Sequence, residues 1–237
     1  MDGEADRVTV EDRCRAVLDR VGAAAERAKR RADDVTVVAA AKGACAQDVR
    51  RAVAAGIRDV GESYVQERRR SHAAIDAPGI RWHFIGRLQR NKATAVVDLF
   101  GLIHSLDSLE LAKAIDRAAG RIGLVARCLI EVNVGDEKGK GGVSSDDAEA
   151  LWMTTESLSH VSIEGLMAIP PAVDADRIRP FFGRLRDLRD RLARLRPDGA
   201  HLKELSMGMS GDFEVAIEEG ATMVRIGTAI FGPRRRV

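Results

Sequence analysis

The sequence predicts a single (β/α)8 barrel, a TIM-type α/β fold, with an extra helix at its N-terminal end. Three observations lead there. Eight short apolar runs recur along the chain. The stretches between them read as helices, which makes the connections βα and the sheet parallel. A length of 237 residues is large for an ordinary domain but normal for one α/β barrel.

Thr9 is suited to cap the first helix, where Cys14, Val17, Leu18, Val21, Ala24, Ala25 and Ala28 follow helical spacing. Residues 1–8 are expected to form a flexible tail. The first strand is VTVVAAA (35–41), followed by the helical AQDVRRAVAAG; IRDVG (57–61) is the second. RWHFIG (81–86) is the third, and NKATAVVDLF leads from it to LIHSL (102–106). LVARCLIEVN (124–133) precedes the helix SDDAEALWMTTESL, and VSIEGLMAI (161–169) follows. LKELSMG (202–208) and MVRIG (223–227) complete the set, separated by SGDFEVAIEEG. No linker or low-complexity run divides the chain, so residues 1–237 are expected to be one domain.

Charge excludes some functions. Lys and Arg number 38 against 36 Asp and Glu, a net of +2 that draws neither nucleic acid nor anionic membrane. The Arg-rich segment 177–197 has Phe181, Phe182, Leu185, Leu188, Leu192 and Leu195 at spacings of three and four, with Asp187 and Asp190 among the arginines. That pattern describes a solvated outer helix, not an electrostatic footprint. Cys14, Cys45 and Cys128 are odd in number and widely spaced, which suits reduced thiols and neither a disulfide framework nor a metal site. No apolar run reaches membrane-span length, and MDGEADR is acidic where a signal peptide would be basic. A cytoplasmic location is expected.

Lys42 falls where the first strand ends, and in such barrels the C-terminal strand ends surround the active site. A loop lysine is the plain alternative. Across the mouth, LSMGMSGD (205–212) and VRIGTAIFG (224–232) are rich in glycine and hydroxyls. Loops after the last two strands commonly bind phosphate, and here the Ser206 hydroxyl, the Gly227 and Thr228 amides and the Thr228 hydroxyl are its candidate donors. Tight turns alone would also account for the glycines. A lysine facing a phosphate cradle suits pyridoxal 5'-phosphate (PLP), whose aldehyde an uncharged amine attacks to form an aldimine. Arg225 lies two residues before Gly227 on the same strand, so it shares that face and can meet the pyridine nitrogen.

GESYVQE (61–67), WHFIGRLQRNK (82–92), GLMAIP (165–170), LSMGMSGDFEVAIEEG (205–220) and TMVRIGTAIFG (222–232) together resemble the PLP homeostasis family, YggS or PROSC-like. The likeness spans nearly the whole chain. It implies a barrel like the N-terminal domain of alanine racemase (fold type III among PLP proteins) and a role in vitamin B6 balance without established turnover. It also implies Lys42 as the aldimine lysine, Arg225 at the ring nitrogen, and Ser206, Gly227 and Thr228 on the phosphate. Ser210 is a further phosphate candidate. Ile169 is a candidate for the ring face and Lys140 for the phenolic oxygen, with a core residue and a solvated loop lysine as their alternatives. The chain has Ala41 where the family usually has Ser or Thr, and Ser63 where it usually has Asn.

An arginine at the ring nitrogen has no acceptor and favours the unprotonated ring, a weak electron sink. Racemisation also needs a second base, which alanine racemase takes from a C-terminal domain; this chain stops at Val237, and its one tyrosine, Tyr64, reads as a packing residue. The expected function is therefore to hold PLP as a lysine aldimine and release it, as a monomer, with apo PLP enzymes as possible recipients. The alternative is a PLP-dependent, racemase-like enzyme acting on a small amino acid. A third reading, an aldolase-like barrel using Lys42 on a phosphorylated sugar, comes from a different class.

Overall fold

The eight segments form strands β1 (Thr36–Ala40), β2 (Asp59–Glu62), β3 (Arg81–Phe84), β4 (Leu102–Leu106), β5 (Ala126–Glu131), β6 (Val161–Met167), β7 (Glu204–Ser206) and β8 (Met223–Ile226). All pair in parallel with their neighbours in chain order, and β8 closes on β1, with Val38 opposite Arg225. The computed structural model describes residues 8–75, 79–137, 139–196 and 202–233. Of the expected N-terminal tail, residues 1–7 lie outside the described residues, and Val8 is exposed.

The helices are α1 (Val10–Arg27), α2 (Ala46–Ala54), α3 (Val65–Ala74), α4 (Ala93–Leu99), α5 (Leu109–Arg121), α6 (Ser145–Thr155), α7 (Ala175–Leu195), α8 (Phe213–Glu218) and the single turn α9 (Thr228–Phe231). Thr9 caps α1 as expected. Its hydroxyl accepts from the Asp12 N–H, and the Asp12 carboxylate accepts from the Thr9 N–H, both at 3.1 Å. The buried stripe Cys14, Val17, Val21, Ala24 and Ala25 turns α1 toward α8 and α9, so the extra helix packs where the last strand meets the first. On α7, Ile178, Phe182, Leu185, Leu188 and Leu192 are buried, while Arg179 and Arg186 pair with Glu218 and Glu219 at the end of α8. The arginine stripe is thus an outer face whose charge is locally offset.

Strand ends differ from the sequence expectation for local reasons. The second strand begins at Asp59, because the Ile57 N–H bonds back to the Ala52 carbonyl and belongs to the last turn of α2. Leu124 likewise bonds to Ala119, and β5 starts two residues later. The seventh strand is only three residues long, since Gly208, at φ +92°, turns the chain toward α8.

Alternation along the strands divides the core. Most buried apolar side chains lie between sheet and helices, while Val38, Leu102, Leu129, Met167 and Met223 form a separate cluster inside the barrel. Burying such a side chain stabilises by roughly 1.5–3 kcal/mol. Asp59, His83, His104, Ser206 and Arg225 are also buried, polar insertions in a space that branched apolar residues usually fill. At Gly165 a Cβ would lie 1.9 Å from the Glu204 carbonyl oxygen, so β6 and β7 approach at a distance only glycine permits.

Candidate functional site

The C-terminal rim of the barrel carries most of the expected site residues. Lys42 follows β1 with one residue between; Ala41 extends the ladder by donating its N–H to the Gly61 carbonyl at 2.9 Å. Lys42 is exposed, and its amine sits 5.3 Å from the centre of the Tyr64 ring. Tyr64 is 51% exposed, so it is a rim residue beside the lysine and not the packing residue the sequence suggested. The two residues stand at the boundary of neighbouring concavities. One, of about 640 Å³, is lined by Lys42, Cys45 and Glu67; the other, of about 1060 Å³, by Tyr64, Arg87 and Asp107.

Arg225 is buried on β8, the strand paired with β1, and its guanidinium reaches the C-terminal ends of the neighbouring strands. Its Nη1 donates to the Ser206 carbonyl at 2.7 Å and to the Ser206 hydroxyl at 2.6 Å, and Nη2 donates to the Ala168 carbonyl at 2.9 Å. These bonds engage three of the five N–H groups a guanidinium carries. Burial lowers its pKa to about 10, against the opposing pull of Glu131 and Asp212, so it remains a cation at neutral pH. Glu131, at the end of β5, is raised by burial and by Asp107, with Arg225 and Arg87 opposing.

Behind Arg225 runs a line of buried polar contacts. The Ser206 hydroxyl lies 2.9 Å from His104 Nδ1, His104 Nε2 lies 2.9 Å from His83 Nδ1, and His83 Nε2 lies 2.9 Å from an Asp59 carboxylate oxygen. Arg81 closes the line at the opposite, N-terminal face of the barrel, donating to both oxygens of Asp59. Burial, reinforced by His83 and Arg225, holds His104 well below the ordinary imidazole range. Asp59 sits below the usual carboxylate range: burial raises it, but the hydrogen bonds from His83 and Arg81 outweigh that.

The remaining expected residues gather less tightly. Gly227 directly follows β8, and exposed Thr228 opens α9; the Ser210 hydroxyl, at 3.2 Å, accepts from the Ala229 N–H in that same turn. Ser210 therefore lies with Gly227 and Thr228, whereas the Ser206 hydroxyl is fully buried and turned toward Arg225 and His104. Ile169 is 41% exposed and directly follows Ala168, so it stands on the rim beside Arg225 and outside the core. Lys140 bonds to the Pro170 carbonyl at 3.3 Å and pairs with Glu137, which brings it to the rim near Ile169. Among the described residues no cluster of His, Cys, Asp and Glu is arranged to hold a metal ion.

Sequence reasoning passed over Asp59, His83 and His104. The signal was present: each histidine interrupts an apolar strand, RWHFIG or LIHSL, and period-two alternation aims it into the barrel. What the sequence does not contain is that adjacent strands bring the two rings to one height.

The family model "Alanine racemase, N-terminal domain" matches residues 14–235. The pyridoxal phosphate homeostasis protein of Aquifex aeolicus (strain VF5) is 44% identical over 225 residues, covering 94% of this chain and 98% of the relative. The protein of the same name from Escherichia coli (strain K12) is 37% identical over 221 residues, covering 92% and 94%. The solved structure of PipY of Synechococcus elongatus PCC7942, with PLP bound, superposes with a TM-score of 0.79 at 36% identity, covering 91% of this chain and 100% of that one. A parallel barrel closed between β8 and β1, a lysine past β1, an arginine on β8 and identity over nearly the full length agree: the chain belongs to the pyridoxal phosphate homeostasis protein family, on the fold of the alanine racemase N-terminal domain.

Proposed function

We propose that the protein binds PLP at the barrel rim, attaching its aldehyde to Lys42, and takes part in PLP homeostasis by holding and releasing the cofactor. The register of β1 on β8 carries this reading, since it sets the strand that leads to Lys42 beside the strand that carries Arg225 and leads to Gly227 and Thr228. The donor set suits the ligand. A primary amine answers the aldehyde, a buried guanidinium the ring nitrogen, and the backbone and hydroxyls of Gly227, Thr228 and Ser210 the phosphate. Ser206, whose hydroxyl is engaged by Arg225 and His104, is assigned to hold Arg225 and not to bind the phosphate. Ile169 and Lys140, on the neighbouring rim, are assigned to border the ring. The solved PLP complex of PipY, 36% identical, supports the same ligand here.

When bound, PLP supplies an aldehyde for reversible imine formation and a ring that withdraws electrons most strongly when its nitrogen is protonated. Arg225 offers that nitrogen only donors, so the nitrogen is left as an acceptor. The exposure of Lys42 keeps its amine open to water and to an incoming amine, as release to a recipient apo-enzyme requires. Free, buried Cys14 and Cys128 suit a reducing compartment, in keeping with a cytoplasmic protein. The test is borohydride reduction after incubation with PLP, followed by peptide mass spectrometry. A pyridoxyl group on the peptide containing Lys42, lost in Lys42→Ala, is expected; a label on Lys140 would overturn the assignment.

A further inference from the structure

We propose that Asp59, His83 and His104 are positioning residues for the cofactor, acting through Ser206 to fix the orientation of Arg225. This rests on the reading that PLP binds beside Arg225. The four residues behind Arg225 come from β2, β3, β4 and β7, yet their polar atoms meet end to end across the barrel interior. His104 and Ser206 are fully buried and Asp59 and His83 are 4% exposed, so a lost partner leaves a polar atom with little access to water.

The ends of the line determine its direction. A guanidinium only donates, and an ionised carboxylate only accepts. A neutral imidazole donates from one nitrogen and accepts at the other, and a hydroxyl does both. With both imidazoles neutral, Arg225 at one end and Asp59 at the other, one arrangement gives each contact a donor and an acceptor. Arg225 donates to Ser206, Ser206 to His104 Nδ1, His104 Nε2–H to His83 Nδ1, and His83 Nε2–H to Asp59. The Ser206 hydrogen is therefore committed to His104, and its oxygen lone pair faces Arg225. Reversing either imidazole would leave two donors or two acceptors facing each other at a buried contact. Asp59 thus sets the tautomer of His83, His83 that of His104, and His104 the orientation of the hydroxyl that grips Arg225. Arg81, whose side chain is 63% exposed, touches only the far end.

The direction is measurable without cofactor, by long-range proton–nitrogen NMR of the imidazoles. His83 and His104 should both be Nε2–H tautomers; a His104 protonated on Nδ1 would overturn the chain. With PLP added, Asp59→Asn should shift the absorption maximum of the bound cofactor and weaken its retention by about five-fold, the loss of one hydrogen bond. Arg81→Gln, which removes the other partner of Asp59, should leave both at their unsubstituted values. His104→Gln, which keeps a donor toward His83 but loses the acceptor for Ser206, should reproduce the shift and serves if Asp59→Asn does not fold. Bound cofactor unaltered by these substitutions, or altered equally by Arg81→Gln, would overturn the positioning role alone. Absence of cofactor absorbance in the unsubstituted protein would overturn the binding reading, and this role with it.

Discussion

His104 carries the clearest residue-level consequence. Its ring is fully buried and its pKa is held well below the ordinary value of 6.5 by burial, with His83 and Arg225 adding to the effect. Below pH 6.5 the unfolded chain takes up a proton there that the folded chain refuses, so this group's contribution is complete above pH 6.5 and is lost as the pH falls. The slope is at most about 1.4 kcal/mol per pH unit for one proton. Urea midpoints measured from neutral pH down to about pH 5.5 should fall, and less steeply in His104→Gln; identical slopes would contradict the assignment. The phosphate end gives a second expectation. Charge-assisted hydrogen bonds are worth roughly 1.5–3 kcal/mol each, so pyridoxal lacking the phosphate should bind more than about ten-fold more weakly than PLP by equilibrium titration. Equal affinities would remove Ser210, Gly227 and Thr228 from the site. The places of Lys42, just past β1, and of Arg225, on β8, were legible in the sequence because one follows an apolar run and the other alternates with Gly227. The inward turn of the Ser206 hydroxyl was not, since it depends on histidines supplied by strands far away in sequence.

The elements were largely legible, because apolar runs and helical periodicity are local properties. All eight strands and the capping threonine of α1 lie where the pattern sets them. The errors were at ends, where a backbone hydrogen bond such as Ile57 to Ala52 decides whether a residue finishes a helix or starts a strand. Gly165 illustrates another limit: VSIEGLM reads as a strand weakened by glycine, yet that glycine is what lets β7 approach. Gly165→Ala forces a methyl group onto the Glu204 carbonyl and should destabilise by about 2–3 kcal/mol, as overpacking does. Denaturant unfolding would reveal it, and a change below about 0.5 kcal/mol, the scale of a surface substitution, would mean that the two strands separate at little cost.

At the scale of the molecule, α1 and α7 both reach α8 through charge. Arg27 pairs with Glu218 at 2.8 Å, Arg179 bridges Glu218 and Glu219 at 2.6 and 2.7 Å, and Arg20 pairs with Glu214. The arginine partners are about half exposed, so each pair alone is weak, and Glu218 matters because two helices share it. Glu218→Gln should cost about 1 kcal/mol at low salt and less at 1 M, where screening shortens the range of such pairs to about 3 Å. A loss independent of salt would point to packing instead.

Closure of β8 on β1 has a further consequence, during synthesis. The first strand leaves the ribosome with a bare edge and keeps it until the last strand has followed, because its second partner is the final one made. Long-range pairing of this kind is slow and leaves unfinished sheets prone to aggregation. Lys42 and Arg225 are likewise far apart on a growing chain. A nascent polypeptide carries the lysine long before it carries the arginine and the last loop, so the proposed site is incomplete until the barrel has closed.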